Sequence, residues 1–222
     1  MAEPMNLKPF YVGLAVIAVV GVAAIWMARG SSAPAEVAPV PLAGAAFEGY
    51  VLGSDTAAVE IVEYADFQCG ACASFAILTA PDVKAKLVNT GRVRWRFLDF
   101  PLPSHDKAPL AHHAAACAAE QGQFWPMHDA LFFNQGAWAQ SRRPERVIRD
   151  LAELVGLDVG RYEGCMDANR YAARIEATKA EGASVGVSAT PSFLVGRLLI
   201  SGALPFDSLL SLVERAEANR SQ

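Results

Sequence analysis

The chain has 222 residues, of which 53% are hydrophobic and 19% are charged, and its formal net charge is −4. This length is enough for one domain with a buried core after an N-terminal segment is set aside. The mild acidity argues against nucleic-acid binding, because no cluster of Lys and Arg follows a phosphate backbone. The alternating Arg92, Arg94 and Arg96 instead predict one solvated face of a strand.

The N-terminal segment contains an uncharged apolar run from Phe10 to Ala28. At about 1.5 Å of rise per residue, a helix of this length crosses the hydrocarbon core of a bilayer. It predicts an N-terminal transmembrane helix within a membrane anchor at residues 1–29. A cleaved signal is the alternative, because Ala33-Pro34-Ala35 offers small residues downstream of the apolar run.

Residues 30–46 are rich in Ala, Pro, Ser, Gly and Val and have no convincing period. This composition predicts a tether that joins the membrane span to a domain at residues 47–222. Lys8 precedes the span and Arg29 follows it, so the basic residues do not orient it. The orientation is inferred from the cysteines instead.

An even number of cysteines suits two disulfide pairs in an oxidising compartment, which favours a domain on the extracytoplasmic side of the membrane. Four cysteines would also permit a metal site. The four residues are Cys69, Cys72, Cys117 and Cys165.

The first part of the domain predicts a strand-helix-strand unit. Residues 57–64 alternate as a strand, and a helix from Cys69 to Gly91 is kinked or divided by Pro81. Residues 93–100 then alternate as a second strand. This order places the Cys69–Cys72 pair at the first junction between a strand and a helix.

The remainder predicts a helical block, two short strands and a last helix. The helices are expected at 107–121, 123–134, 144–155, 158–168 and 170–185, with a break at Gln135-Gly136 among others. Strands at 192–195 and 198–201 are joined by a turn at Gly196-Arg197, and an amphipathic helix covers 205–218. The predicted fold class is therefore α/β.

The spacing of Cys69-Gly70-Ala71-Cys72 places two sulfurs on one face of a helical turn. Unpaired N–H groups and the helix dipole stabilise a thiolate at this end, so Cys69 is predicted to be the exposed nucleophile with a lowered pKa. Cys72, one turn deeper, is predicted to resolve the mixed disulfide. Gly70 and Ala71 leave the first sulfur open to a protein substrate.

A CxxC pair alone also fits half of a zinc site or a structural disulfide. A structural zinc site needs a second ligand pair, which His112 and His113 near Cys117 would have to supply. Their place in an Ala-rich amphipathic helix favours surface or packing roles instead. We therefore expect neither a metal nor another cofactor.

The sequence resembles the DsbA-like branch of the thioredoxin superfamily over roughly residues 51–218. The resemblance implies a thioredoxin-like fold with an inserted helical subdomain at about 106–186. Its motifs are Val62-Glu63-Tyr64-Ala65-Asp66-Phe67-Gln68-Cys69-Gly70-Ala71-Cys72, Asp99-Phe100-Pro101-Leu102, Cys117-Ala118-Ala119-Glu120-Gln121-Gly122-Gln123-Phe124-Trp125, Met127-His128-Asp129 and Gly186-Val187-Ser188-Ala189-Thr190-Pro191-Ser192-Phe193.

The resemblance implies roles for further residues. Thr190-Pro191 matches the loop whose cis-proline packs against the active-site cysteines and presents backbone to the substrate; an ordinary trans-proline is the alternative. Glu63 matches the buried acid that shuttles the proton of Cys72, with Glu60 on the opposite strand face as its competitor.

Cys117 and Cys165 match positions where several members of this branch carry a second, non-catalytic disulfide. Two buried thiols that never meet are the alternative. One departure concerns the dipeptide between the active-site cysteines, which is Gly-Ala here and Pro-His in DsbA. Without the His, a stabiliser of the thiolate is missing, so we expect a less oxidising potential than that of DsbA.

These observations predict an extracytoplasmic thiol:disulfide oxidoreductase that forms or exchanges disulfides in exported proteins. It is expected to be a monomer attached to the cell membrane by a single span through residues 10–28, and to be reoxidised by a membrane redox partner. Two alternatives are a reductase fed with electrons from the membrane, for example for apocytochrome thiols, and a non-enzymatic module that binds exported clients.

Overall fold

A computed structural model describes residues 35–36 and 47–220. The predicted membrane span at 10–28, the rest of the anchor, and most of the predicted tether at 30–46 lie outside the described residues. Within the part that is described, no helix combines the length and the apolar character that a membrane crossing requires.

The described residues contain a mixed sheet whose strand order is β1-β6-β5-β3-β4-β2. Strands β3 and β4 are parallel, and the other neighbouring pairs are antiparallel. The central position of β3 brings the strand that precedes the CxxC pair between β4 and β5. The strands are β1 (Ala35–Glu36), β2 (Tyr50–Leu52), β3 (Val59–Ala65), β4 (Val93–Asp99), β5 (Ser192–Val195) and β6 (Leu198–Ser201).

The helix predicted to begin at Cys69 is divided, as its proline suggested. Helix α1 (Gly70–Leu78) is followed by the capping residue Thr79 and then by helix α2 (Ala80–Val83). A π-helical turn (Lys84–Val88) completes the segment. Pro81 lies in the first turn of α2, where a missing N–H costs nothing because that turn has no backbone acceptor for it. The first strand-helix-strand prediction is confirmed.

Six helices lie between β4 and β5 in the chain. The short helix α5 occupies the place where a break was predicted at Gln135-Gly136. Trp138 of α5 is fully buried and its Nε1 donates a hydrogen bond to Leu131 O at 2.8 Å, so tertiary packing outweighs the helix-weakening effect of Gly136. The helices are α3 (Ala108–Ala119), α4 (Phe124–Phe133), α5 (Gln135–Ala139), α6 (Pro144–Leu154), α7 (Val159–Asp167) and α8 (Ala172–Ser184).

The C-terminal hairpin and helix agree with the sequence pattern. Strands β5 and β6 have the predicted bounds, and Gly196 in the turn between them has a φ of 62°, which glycine adopts without strain. Helix α9 (Phe206–Arg220) follows. Its Leu209, Leu212 and Val213 are buried against the sheet together with Phe193 of β5.

The two faces of the sheet are covered by different helices. Phe75 of α1 belongs to the same buried cluster as α9, on the face that carries Ile61 and Trp95. On the other face, α8 comes so close that a Cβ on Gly182 would lie 2.9 Å from the ring of Tyr64. Residue 182 must therefore be glycine for this approach, and the site at the end of β3 is supported from both sides.

The arginines of β4 do not form a solvated face. Arg96 is only 8% exposed; its Nη2 lies 2.8 Å from Glu60 Oε1, and its Nη1 donates to the carbonyl of Glu48. Arg94 also pairs with Glu60, at 3.4 Å. The prediction was wrong for Arg96 because residues 47–52, including β2, cover this edge of β4, and the sequence pattern did not reveal that strand.

Candidate active site

The CxxC pair lies at the carboxyl end of β3. Cys69 has an extended backbone conformation as the residue that caps α1, and Cys72 lies one turn inside the helix. Both are free thiols. Cys72 is completely buried and Cys69 is 8% exposed, so Cys69 is the more accessible sulfur but is less exposed than predicted. Gly70 and Ala71, between the two, are exposed.

The loop that carries Thr190 and Pro191 packs over Cys69. The Thr190–Pro191 peptide bond is cis, and both residues are buried. Cys69 Sγ donates a hydrogen bond to the carbonyl oxygen of Thr190 at 3.3 Å. The loop predicted to face the active-site cysteines therefore contacts the first sulfur directly.

The two thiols have opposite electrostatic environments. The pKa of Cys69 is lowered to about 5, because the Cys72 thiol donates a hydrogen bond to its sulfur. The neighbouring Thr190 and the backbone N–H groups of Cys72 and Ala71 also lower this pKa, and together these effects outweigh the opposing effect of burial. Burial raises the pKa of Cys72, and so does the hydrogen bond to Cys69. One thiolate therefore forms near neutral pH, on Cys69.

Titration of reduced protein should show a single thiolate with a midpoint near pH 5, measured by ultraviolet absorbance or by the rate of alkylation. Because this pKa lies below that of an unfolded thiol, ionisation stabilises the folded reduced protein fully above about pH 8.5, and the effect disappears as the pH falls towards 5. A midpoint near the ordinary thiol value would contradict the assignment.

A matched pair of variants tests the cause of the shift. Cys72→Ala removes the donor beside the Cys69 sulfur, so the midpoint should move up towards the ordinary thiol value. Cys72→Ser keeps a hydroxyl donor at the same position and should retain more of the shift.

Glu63 lies under the cysteines on the face of β3 that is covered by α1. It is 1% exposed, and its Oε2 accepts a hydrogen bond from Trp95 Nε1 at 3.0 Å. Burial raises the pKa of Glu63 to about 8, although Trp95 and the charge of Lys84 oppose the shift. Glu60, the competing candidate, faces the other side and pairs with Arg96. Only Glu63 has the environment of a proton carrier near neutral pH.

Glu63→Gln is expected to stabilise the folded protein at pH 7, on the order of 3 kcal/mol, and to give little change at pH 4. The raised pKa means that the folded state keeps a proton that the unfolded chain releases, so this glutamate costs stability as the pH rises from 4 to 8. Chemical denaturation at both pH values measures the difference.

Glu60→Gln is the matched control on the opposite strand face. It removes the pairing with Arg96 and should not stabilise the protein at either pH. An equal effect of Glu63→Gln at both pH values would contradict the raised pKa of Glu63.

Residues 46–215 match a protein-family model described as thioredoxin. The chain belongs to the thioredoxin family. The probable disulfide bond formation protein D of Bacillus anthracis is 24% identical over 167 residues, which cover 74% of this chain and 76% of that protein. The crystal structure of Wolbachia pipientis alpha-DsbA1 has a TM-score of 0.70 and 20% identity, covering 82% of this chain and 94% of that chain.

A third similar protein is much longer than this chain. The Na(+)/H(+) antiporter NhaA 3 of Salinispora tropica is 35% identical over 171 residues, which cover 77% of this chain but only 25% of the antiporter. The chain thus spans about a quarter of the length of this relative. The thioredoxin match and the similarity to these proteins agree with the predicted resemblance to the DsbA-like branch. The name of the Bacillus protein refers to disulfide bond formation.

The thioredoxin-like site also contains polar residues that the sequence analysis did not single out. Asp66, fully buried, accepts hydrogen bonds from Leu102 N and from His105 Nδ1, both at 2.7 Å. Its backbone N–H points to Cys72 Sγ at 3.5 Å. Asp66 therefore ties the turn before Cys69 to the loop after β4. The sequence signal for this role was the position of Asp66 within the motif that resembles the DsbA-like branch.

Gln135 is a second residue that the sequence analysis missed. Its Nε2 donates to the carbonyl oxygens of Phe67 and Cys69, at 2.7 and 3.0 Å. The side chain comes from α5, the helix that replaced a predicted break, and it is 66 positions away in the chain from Cys69. No local pattern signals such a contact. The inserted helices thus help to fix the backbone that carries the nucleophile.

His112 also supports this turn. Its Nδ1 lies 2.6 Å from Asp99 Oδ1, its Nε2 faces the backbone N–H of Phe67 at 3.4 Å, and both His112 and Asp99 are fully buried. Within the described residues, Cys69 and Cys72 belong to no group of three or more metal-ligating side chains. His112 therefore links Asp99 at the end of β4 to the backbone of the turn before Cys69.

Cys117 and Cys165 are joined by a disulfide, with 5.8 Å between their Cα atoms. The bond links α3 to α7 within the inserted helices, and both cysteines are 1% exposed. The pair is separate from the CxxC thiols. The alternative of two thiols that never meet does not hold in this structure.

Proposed function

We propose that this chain catalyses thiol:disulfide exchange in exported proteins and that it forms disulfides in its clients. The observation that carries the proposal is the Cys69 sulfur, which lies at the amino end of α1 against the cis-proline loop with a pKa of about 5. A stable thiolate is a good leaving group in disulfide exchange, so it favours release of an oxidised client.

The reaction begins with a Cys69–Cys72 disulfide. A client thiolate attacks Cys69 Sγ, the bond to Cys72 breaks, and Cys72 leaves as a thiolate that takes up a proton because its pKa is high. Glu63, whose pKa is about 8, is the proton carrier on this side of the pair. A second client thiolate then attacks the client sulfur, and Cys69 leaves as a thiolate. Two electrons pass from the client to the enzyme.

The inferred direction follows from the lowered pKa. A Cys69 pKa of about 5 lies between the values of roughly 7 and 3.5 for the first cysteines of thioredoxin and DsbA. We therefore expect the pair to be more oxidising than that of thioredoxin, whose potential is about −270 mV. A Cys69 pKa above that of DsbA agrees with the absence of a histidine between Cys69 and Cys72.

The proposed setting is the extracytoplasmic side of a membrane. The apolar run at residues 10–28 would anchor the chain, residues 30–46 would tether the domain, and a membrane redox partner would accept two electrons from the reduced pair. The Cys117–Cys165 disulfide supports this setting, since such bonds persist in oxidising compartments.

A redox titration of the Cys69–Cys72 pair against glutathione buffers tests the direction of electron flow. The expected potential is well above −270 mV. A value near or below that of thioredoxin would overturn the proposal in favour of a reductase. The Cys117–Cys165 pair is followed by mass analysis in the same samples, so that the two couples are not confused.

A further inference from the structure

A second group of metal-ligating side chains lies away from the CxxC pair, within the inserted helices. One ligand atom each from His113, Cys117 and Cys165 lies within 4.8 Å of the others, and all three residues are buried. His113 and Cys117 are four positions apart on α3, which places them on one face of the helix. Cys165 approaches from α7.

We propose that reduction of the Cys117–Cys165 disulfide converts this group into a site for a thiophilic divalent cation such as Zn²⁺. Two thiolates and one imidazole are a known ligand set for zinc with an open fourth position. The disulfide form closes the site, because each sulfur is then bonded to the other.

The geometry suits such an ion after a small movement. Zinc bonds of about 2.3 Å to sulfur and about 2.0 Å to nitrogen place tetrahedral ligand atoms roughly 3.5–3.8 Å apart. The two sulfurs lie 2.02 Å apart in the disulfide and must separate to bind an ion. The ligand nitrogen of His113 lies within 4.8 Å of both sulfurs, so it is already within reach of an ion between them. Side-chain rotation on two fixed helices is enough for this change.

The charges also suit a buried ion. Two thiolates neutralise a divalent cation, so the occupied site carries no net charge into the core. The backbone N–H of Tyr171 faces His113 Nε2 at a long distance of 3.4 Å, so little is lost if that nitrogen turns to the ion.

A cavity gives the site an entrance. It has a volume of about 300 Å³ and is lined in part by His113, Met166, Asn169 and Ile175. Water from this cavity would take the fourth ligand position. The cation therefore does not have to cross the closed core to reach the imidazole.

The chemistry requires a reductant, which a phosphine provides in the test. The phosphine is oxidised to its oxide with the oxygen of one water, and the disulfide gains two electrons and two protons to give two thiols. Binding of Zn²⁺ then releases both thiol protons. Below the thiol pKa, affinity should fall by roughly 100-fold for each unit that the pH is lowered.

The experiment uses the full chain with Cys69→Ser and Cys72→Ser, so that the active-site thiols cannot bind metal. The purified protein is reduced with a phosphine in the absence of oxygen and is then titrated with Zn²⁺, and with Co²⁺ as a spectroscopic probe. One ion per chain is expected, with a thiolate-to-cobalt charge-transfer band. The air-oxidised protein, with its disulfide formed, should bind none.

His113→Gln in the same background should weaken zinc binding by at least about 10-fold while the cobalt–thiolate band changes position. Met166→Leu is the matched control, because it changes the lining of the same cavity and leaves the three proposed ligands in place. Circular dichroism confirms that each variant is folded. No zinc bound by the reduced protein, failure of the reduced protein to fold even with zinc, equal binding by the oxidised protein, or unchanged affinity in His113→Gln would each overturn the proposal.

Discussion

Cys69→Ser is expected to abolish thiol:disulfide exchange, with a loss on the order of 10³ or more in the rate of oxidation of a reduced, unfolded client protein. The serine hydroxyl does not ionise near neutral pH, whereas the Cys69 thiol has a pKa of about 5. The variant also cannot form the disulfide with Cys72 that carries the two electrons. Appearance of client disulfides, measured by alkylation and mass analysis, gives the rate.

Cys72→Ser is the partner variant and should behave differently. Its Cys69 can still attack a client disulfide but has no resolving thiol, so a mixed disulfide with the client should accumulate. Non-reducing electrophoresis and mass analysis identify that species. If Cys69→Ser retained full activity towards exported clients, the chain would be a binding module and the proposed enzyme mechanism would be wrong.

Removal of the second disulfide should have the largest effect on stability. In the double variant Cys117→Ala and Cys165→Ala, the free energy of unfolding should fall by roughly 4 kcal/mol, because the bond closes a loop across a sequence separation of 48 residues. Both positions are 1% exposed, and the alanines also leave small voids. Denaturation in urea measures the change.

The same double variant should keep its exchange activity under conditions where it is folded, since Cys69 and Cys72 belong to a different pair. This separates the two disulfides by function: one affects the rate and the other the stability. The expected loss arises because the disulfide restricts the unfolded chain. A loss of less than about 1 kcal/mol would contradict this explanation.

Much of the site follows from local sequence. The alternating strand before Cys69 and the helical pattern after it specify a strand-to-helix junction, and the CxxC spacing needs only one helical turn. The hairpin around Gly196 is equally local, since the turn requires a residue that accepts a positive φ. Family motifs added the cis-proline loop and the pairing of Cys117 with Cys165, which no local pattern specifies.

Other features depend on contacts that are distant in the chain. The sequence offered Glu60 and Glu63 on opposite strand faces, and only the packing of α1 against one face decides which carboxyl is buried. Gln135 reaches the Cys69 backbone from α5, a helix that forms because Trp138 is buried. In each case, local pattern determines where an element forms and which way its side chains alternate. Desolvation and hydrogen bonding in the assembled core determine which of those side chains acquire unusual chemistry, because both depend on neighbours brought in from elsewhere in the chain.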